Sequence, residues 1–197
     1  MVPEALRVRL YNVYVLPILL YNCGTWGLTD HDIESLEAFH RRHLRRVLRV
    51  HYPQHISNAA LYKRCKTAPL RLHLTKSRWR LFGHILRRAQ PIPAQLNMVR
   101  YYATVGTMPA YRGRMRTCLP TVLDKDLRLD FTSNLRLRSI KDLSILSTLA
   151  QDRAAWKELT LRLCYSQELI YRNKERVRIK RKLESVNAGS MPPRKRS

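Results

Sequence analysis

Five arginines between positions 41 and 49 carry the clearest chemistry in this sequence. On an α-helix their spacing places them on one arc, apart from the apolar side chains of the same segment. A guanidinium group is a planar and permanently charged donor that matches phosphate oxygens. The pattern predicts a helix from about Asp30 to Val50 that contacts a phosphate backbone, which gives affinity rather than base specificity. The predicted contact residues, the first basic set, are Arg41, Arg42, Arg45, Arg46 and Arg49.

The positive charge around these arginines is not neutralised within the sequence. The 197-residue chain has a formal net charge of +24, and the 86 residues from Ala38 to Leu123 hold 18 Lys and Arg but no Asp or Glu. A solvated helix face normally places carboxylates four residues from its cations, so the alternative of a merely solvated face is the weaker one. Since phosphate contacts gain affinity by releasing counterions, nucleic acid is the predicted partner.

A second basic set is predicted on a helix over about residues 70–89. The apolar side chains of this segment share one face, as a 3.6-residue period requires. Arg71 and Arg78 do not follow that division, so we expect them to lie along the apolar edge or to contact a ligand across it. The second basic set, on the opposite face, is Lys76, Arg80 and Arg87.

Two further basic clusters lie outside the predicted helices. A loop around Gly113 is suited to follow a phosphate backbone, although a plain surface loop is the alternative; its cations are Arg112, Arg114 and Arg116. From Arg172 onward the chain has ten Lys and Arg and two acids. Two groups there have the spacing of a nuclear import signal, with a nonspecific electrostatic arm as the alternative: Lys180, Arg181 and Lys182, then Arg194, Lys195 and Arg196. We therefore predict an intracellular, nuclear protein.

The residue types that catalysis and metal binding need are not arranged for either. The sequence has no Gly-rich phosphate cradle, no G-x-S-x-G turn and no carboxylate in the basic segment to hold Mg²⁺. The four cysteines have no C-x-x-C pair and are expected to be reduced thiols. A zinc-dependent fold stays open only if the structure gathers scattered Cys and His. We predict no enzyme activity, no metal and no cofactor.

The whole pattern predicts a mainly α fold of small helical bundles with a long connection rich in Pro and Gly. The 45% hydrophobic content is enough for a real core. The longest apolar run, residues 10–21, is too short to cross a membrane. The predicted organisation is a helical basic region over 1–89, a linker loop over 90–120, a small helical module over 121–171 and a basic tail over 172–197, disordered at its end.

Five short segments stand in an order that is known from one family. They are LPILLYNCGTW at 16–26, LEAFHRR at 36–42 with LRR at 44–46, residues 79–87 around Gly83-His84, Arg112-Gly113-Arg114 with Thr117 and Asp126-Leu127, and AQDRAAW at 150–156. Over residues 10–160 this series resembles the region that follows the polymerase core in non-LTR (LINE-type) retrotransposon reverse transcriptases. Two positions depart from the family pattern, because Met115 stands where Pro is usual and Cys118 where Trp is usual.

The resemblance implies a thumb and post-thumb region that grips template RNA and target DNA beside a reverse transcriptase domain. The catalytic aspartates of that family belong to the polymerase core, which precedes this region. We therefore expect a non-catalytic, nucleic-acid-binding remnant of a LINE-type reverse transcriptase, with 1–89 as its thumb-like part. The alternative is a helical protein-interaction module whose basic face binds an acidic protein partner.

Overall fold

The computed structural model of this chain describes residues 2–89, 92–104, 113 and 117–189, without the side chains of 182 and 186–189. Every regular element in these residues is helical, so the predicted mainly α fold is confirmed. In chain order the structure has α1 (Glu4–Leu10), a π-helical segment (Tyr11–Val15), α2 (Leu16–Leu19), a 3₁₀ turn (Cys23–Thr25), α3 (Asp30–Leu48), α4 (Asn58–Arg64), α5 (Leu70–Leu86), α6 (Pro93–Thr104), α7 (Leu119–Arg128), α8 (Ile140–Gln151) and α9 (Arg153–Gly189).

Local side chains fix where the basic helices begin. The Thr29 hydroxyl accepts a hydrogen bond from the Asp32 amide at 3.2 Å, and the Asp32 carboxylate accepts one from the Thr29 amide at 2.9 Å. This capping box satisfies two donors that a helix N-terminus leaves unpaired. Ser57 caps α4 with a single bond, in which its hydroxyl accepts from the Ala60 amide. These caps set the ends of the helices that carry the first basic set and its neighbour.

The N-terminal half packs around one apolar cluster. Leu44 of α3 and Leu61 of α4 are fully buried, and α1 and α2 close over them. His40 is also fully buried, and its Nδ1 lies 2.8 Å from the Tyr11 hydroxyl. Because α3 turns this side inward, its arginines are directed away from the core.

A second cluster joins α5 to α6, α7, α8 and α9. Trp79 and Phe82 of α5 pack there against Leu123, Leu146 and Leu159. Helix α5 also gives Leu70 to the N-terminal cluster, so it belongs to both cores. The segment predicted as a separate module over 121–171 therefore shares its core with α5.

Helices α5 and α9 approach each other closely at Gly83. A Cβ added at this glycine would lie 2.2 Å from the Trp156 Nε1 atom. The same indole nitrogen donates to the Trp79 carbonyl oxygen at 3.0 Å, and Trp156 is 4% exposed. Only a residue without a side chain leaves room for this contact, which sets the spacing between the two helices.

Two segments are more helical than their sequence predicts. The predicted linker contains α6, which buries Met98 and Tyr102. Helix α9 continues to Gly189, past the predicted helix end near Tyr171, and thus includes the first part of the predicted basic tail. Residues 153–186 contain no Gly or Pro and are rich in strong helix formers, so nothing local stops the helix. None of the described helices is both long and apolar enough to cross a membrane.

Candidate nucleic-acid interface

Most of the first basic set lines a groove between α3 and the far half of α9. This α3–α9 groove has a volume of about 690 Å³. Its α3 wall carries four arginines of the set, and α9 adds Arg178, which the sequence analysis did not select. Arg42, Arg46 and Arg178 are exposed, whereas Arg41 and Arg45 are half-buried. The four set members in the groove are Arg41, Arg42, Arg45 and Arg46.

The half-buried arginines of this groove are held by neighbouring polar groups. Arg45 donates to Asn58 Oδ1 at 2.8 Å, and the Asn58 amide donates to Glu175 Oε1 at 2.8 Å. Arg41 Nη1 lies 3.5 Å from Glu37 Oε2. Burial lowers the pKa of Arg41, but its acidic and phenolic neighbours outweigh this, so the net shift of its pKa is upward. These contacts fix the α3 wall before any ligand arrives.

Arg49 is the one member of the first set that does not line the groove. It follows α3 as its C-cap, in the left-handed conformation with φ of 59°. There its amide donates to the Arg46 carbonyl oxygen at 3.0 Å and helps to end the helix. Its backbone thus has a structural role, which the helical wheel did not predict.

The second basic set lines another groove, between α5 and the near half of α9. This α5–α9 groove has a volume of about 900 Å³, and none of its lining residues is Asp or Glu. Helix α9 contributes Arg153 and Lys157, both exposed, and α5 adds His84. The predicted Lys76 and Arg80 of α5 and Arg87 at its C-cap complete the lining cations.

Arg71 and Arg78 line neither groove. They pair instead with groups inside the protein. Arg78 is 2% exposed, and its Nη1 lies 2.6 Å from Asp126 Oδ2. Trp79 Nε1 donates to the same oxygen at 3.0 Å. Arg71 is half-buried, 3.9 Å from Glu37 and 5.6 Å from the centre of the Tyr171 ring. Both arginines hold helices together.

The acid-free segment is therefore partly neutralised by carboxylates from outside it. Glu37 lies one residue before the segment and serves both Arg41 and Arg71. Glu4 and Asp126 reach their partners, Arg64 and Arg78, only through folding. We expected that no carboxylate of this chain neutralises the segment, and these ion pairs correct that expectation. The sequence did not reveal them because most of the partners lie far apart along the chain.

The two grooves lie one after the other along the same face of α9. At 100° per residue the three α9 cations that line them, Arg153, Lys157 and Arg178, fall within an arc of about 60°. With a rise of 1.5 Å per residue, these two arginines lie about 37 Å apart along the axis. One extended polyanion can therefore run along both grooves.

The other predicted basic residues lie elsewhere or outside the described part. Lys180 and Arg181 are exposed on α9 after the α3–α9 groove, and Lys180 Nζ lies 3.9 Å from Glu184. The side chain of Lys182 is outside the description. So are the loop residues Arg112, Arg114 and Arg116, and the terminal cluster Arg194, Lys195 and Arg196.

Sequence reasoning missed the α9 side of both grooves. Arg153 and Lys157 are four residues apart, which is the spacing of neighbours on one helix face. Arg178 lies on the same face but was assigned to the tail because α9 was expected to end near Tyr171. A search for Gly and Pro beyond that tyrosine would have found the longer helix and its basic face.

The described residues offer no group of three or more Cys, His, Asp and Glu side chains that could hold a metal ion. The four cysteines are free thiols. Burial lowers the pKa of His40 to about 4, so this histidine is a neutral core residue at pH 7.

Three segments of the family resemblance meet in the second core, where Trp79 contacts both Asp126 and Trp156. The LINE-type resemblance itself stays a prediction from the sequence. Comparisons of this chain with models of protein families, with curated proteins and with solved structures find no match.

Proposed function

We propose that this chain binds nucleic acid by laying the phosphate backbone along the basic face of α9. The observation that carries the proposal is the α5–α9 groove, whose lining holds five Lys and Arg and no carboxylate. Cations without acidic neighbours keep a positive field that only an anion from outside can neutralise. A backbone contact of this kind depends on charge and not on base identity.

The α3–α9 groove extends the same surface. Arg42, Arg46 and Arg178 stand exposed along it, so their guanidinium groups are accessible to phosphate oxygens. The carboxylate in its lining, Glu175, already accepts a hydrogen bond from Asn58. The cations thus outnumber the acid in this groove as well.

We further propose that the chain is a non-catalytic remnant of a LINE-type reverse transcriptase and acts in the nucleus. The order of the five sequence segments supports the family, and the C-terminal basic clusters support nuclear import. In this proposal the chain grips RNA or DNA, and any polymerase chemistry belongs to a separate reverse transcriptase domain.

The test measures binding to labelled RNA and DNA of unrelated sequence at graded salt. The first variant is Arg80→Gln/Lys157→Gln in the α5–α9 groove, and the second is Arg42→Gln/Arg46→Gln in the α3–α9 groove. Each pair removes two phosphate contacts, so the slope of log K against log salt should fall by about 1.8 on duplex DNA and about 1.4 on single strands. Fluorescence anisotropy gives both the affinity and the slope.

The matched control is Arg9→Gln/Lys141→Gln, which removes two exposed cations that line neither groove. It changes the net charge equally and should leave the slope almost unchanged. An equal loss in control and groove variants would mean that only total charge matters and would contradict the proposal. Equal binding of polyglutamate would instead favour an acidic protein partner.

A further inference from the structure

Tyr52 stands at the mouth of the α3–α9 groove with its ring in solvent. It is 90% exposed, and it lines the groove together with Arg46 and His51. A turn closed by the Gln54 amide, which donates to the His51 carbonyl oxygen at 2.8 Å, presents the tyrosine at its tip. The ring of His55 meets the Tyr52 ring edge-on, with 6.3 Å between the ring centres. The Tyr52 ring is therefore accessible beside a row of guanidinium groups.

The rest of this groove combines apolar and charged surface. Ile179 is 52% exposed and Val50 is half-buried, and both line the groove beside the arginines. A nucleotide has the matching chemistry, because it joins a flat, largely apolar base to an anionic phosphate. Proteins that bind single-stranded nucleic acid combine these features, with aromatic side chains for the bases and cations for the backbone.

The α5–α9 groove has no exposed tyrosine or tryptophan among its described lining residues, although the exposed side chains of His84 and Leu161 line it beside the cations. Its tryptophan, Trp156, is 4% exposed and packed under Gly83, so its ring is not accessible to a base. The difference between the grooves argues that Tyr52 is more than a polar surface residue near a charged patch.

We propose that the α3–α9 groove is a site for an unpaired nucleotide, in which the base stacks on Tyr52 while Arg42 and Arg46 hold the adjacent phosphates. This inference rests on the proposed function and makes it more specific. It identifies the preferred ligand as single-stranded RNA or DNA, since the bases of a continuous duplex are stacked on each other and leave no face for the tyrosine.

The test compares Tyr52→Ala and Tyr52→Phe on three labelled ligands: a single strand with bases, an abasic strand of the same length and a continuous duplex. Loss of one stacked base should weaken binding of the base-bearing strand by about 5- to 150-fold in Tyr52→Ala. Tyr52→Phe keeps the ring and should bind like the unchanged protein. The abasic strand and the duplex should be unaffected, and the salt slope should stay the same because no cation is removed.

The matched control is Tyr21→Ala, which removes another exposed tyrosine, 81% exposed, outside both grooves. Circular dichroism and thermal melting confirm that each variant is folded. Unchanged affinity of Tyr52→Ala for the base-bearing strand, or an equal loss on the duplex or the abasic strand, would overturn the nucleotide site. If Arg42→Gln/Arg46→Gln still lowers the salt slope in that case, the proposed function stands alone; if the unchanged chain binds none of the three ligands, both proposals fail.

Discussion

The α5–α9 groove and the α3–α9 groove share one wall and differ in the other. The shared wall is the basic face of α9, and α5 completes the first groove with cations beside Ser77, Leu81 and His84. Helix α3 and the turn that follows it complete the second groove with arginines, an exposed tyrosine and apolar side chains. In the proposed function, one helix face provides backbone affinity along its length, and the α3–α9 groove adds a place for a base at one end.

The grooves also differ in how their walls are fixed. Helices α5 and α9 touch directly, with the Trp156 indole against Gly83. Helix α3 is linked to α9 through polar groups, from Arg45 through Asn58 to Glu175. A steric contact fails when a side chain is too large, whereas a polar link fails when a partner is lost. The two grooves should therefore respond to different substitutions.

The largest effect should come from breaking the buried ion pair between Arg78 and Asp126. Asp126→Ala leaves the Arg78 guanidinium buried without its carboxylate, which should lower the free energy of unfolding by about 3–5 kcal/mol. Helix α5 carries Arg78 and takes part in both cores, so both grooves should lose binding together. Urea denaturation measures the loss.

The control for this prediction replaces the pair as a unit. Arg78→Met/Asp126→Leu removes both charges and should recover most of the stability, because apolar residues of similar volume can replace a buried ion pair. A double variant as unstable as Asp126→Ala would show that the lost contacts of Trp79 and Gln167 with this carboxylate matter more than the charges.

Gly83→Ala should distinguish the two grooves, because it disturbs the contact that fixes the α5–α9 groove. The new methyl group meets the Trp156 ring at 2.2 Å, so α5 and α9 must move apart, at a cost of about 3 kcal/mol of unfolding free energy. Binding through the α5–α9 groove should weaken, and Arg80→Gln/Lys157→Gln should then add little further loss. Thermal melting and salt-dependent anisotropy measure the two effects.

A Trp156→Leu background supplies the matched comparison. With the indole gone, Gly83→Ala should cost much less than it does in the unchanged chain, which a double-mutant cycle measures. An unchanged cost in that background would show that the methyl group clashes with something other than the tryptophan.

The α3 wall is formed by residues close together in the sequence, whereas the α9 wall depends on contacts between distant residues. This difference explains which of the two walls could be predicted from the sequence. The α3 wall was predicted because its arginines, its capping box and its apolar face all lie within residues 29–50. The mainly α fold was predicted for the same reason, since helical periodicity is local. The position of Tyr52 in the groove could not be predicted in this way, because no nearby residue shows that α9 lies on the other side of the groove.

The α9 wall depends on tertiary structure. The pairing of Arg78 with Asp126 joins residues 48 positions apart, and the contact of Gly83 with Trp156 joins residues still further apart. Spacing rules are applied to one helix at a time, so they could not reveal that Arg78 pairs with Asp126, and they ended α9 too early. Which helices pack against each other depends on how their side chains fit together, and no fixed spacing of residues in the sequence predicts that fit.

Acid should weaken the α3 side of the molecule through His40. The unfolded chain binds a proton at this residue near pH 6.5, but the folded protein does so only near its lowered pKa of about 4. The unfolded state therefore binds more protons between these values, and stability falls as the pH drops through that window, by about 2–3 kcal/mol. Burial is the main cause, and the nearby His73, Arg41 and His43 add to it.

Denaturation of the unchanged chain and of His40→Gln at about pH 7 and pH 4.5 isolates this term. Carboxylates elsewhere also titrate in this range, but they contribute equally to both proteins and cancel in the difference. The stability of His40→Gln should fall less with acid than that of the unchanged chain. An equal loss of stability in the two proteins would show that the folded core does not lower the pKa of His40.

The smallest effect should come from the length of the ligand, and it tests whether the two grooves act on one strand. Lys157 and Arg178 lie 21 residues apart on α9, so a strand needs about 32 Å to reach both cations. At about 3.4 Å per nucleotide, that is roughly ten nucleotides of a stacked strand. A shorter strand can occupy only one groove at a time.

Strands of about five and about fifteen nucleotides therefore separate the alternatives. On the longer strand, each groove variant should reduce the salt slope by about 1.4, and the combined variant by about twice that amount. On the shorter strand, a single groove variant should change the slope much less, because the strand can bind in the groove that remains. If both lengths respond equally to each variant, the two grooves do not act on one continuous strand, and the basic face of α9 has to be treated as two separate sites.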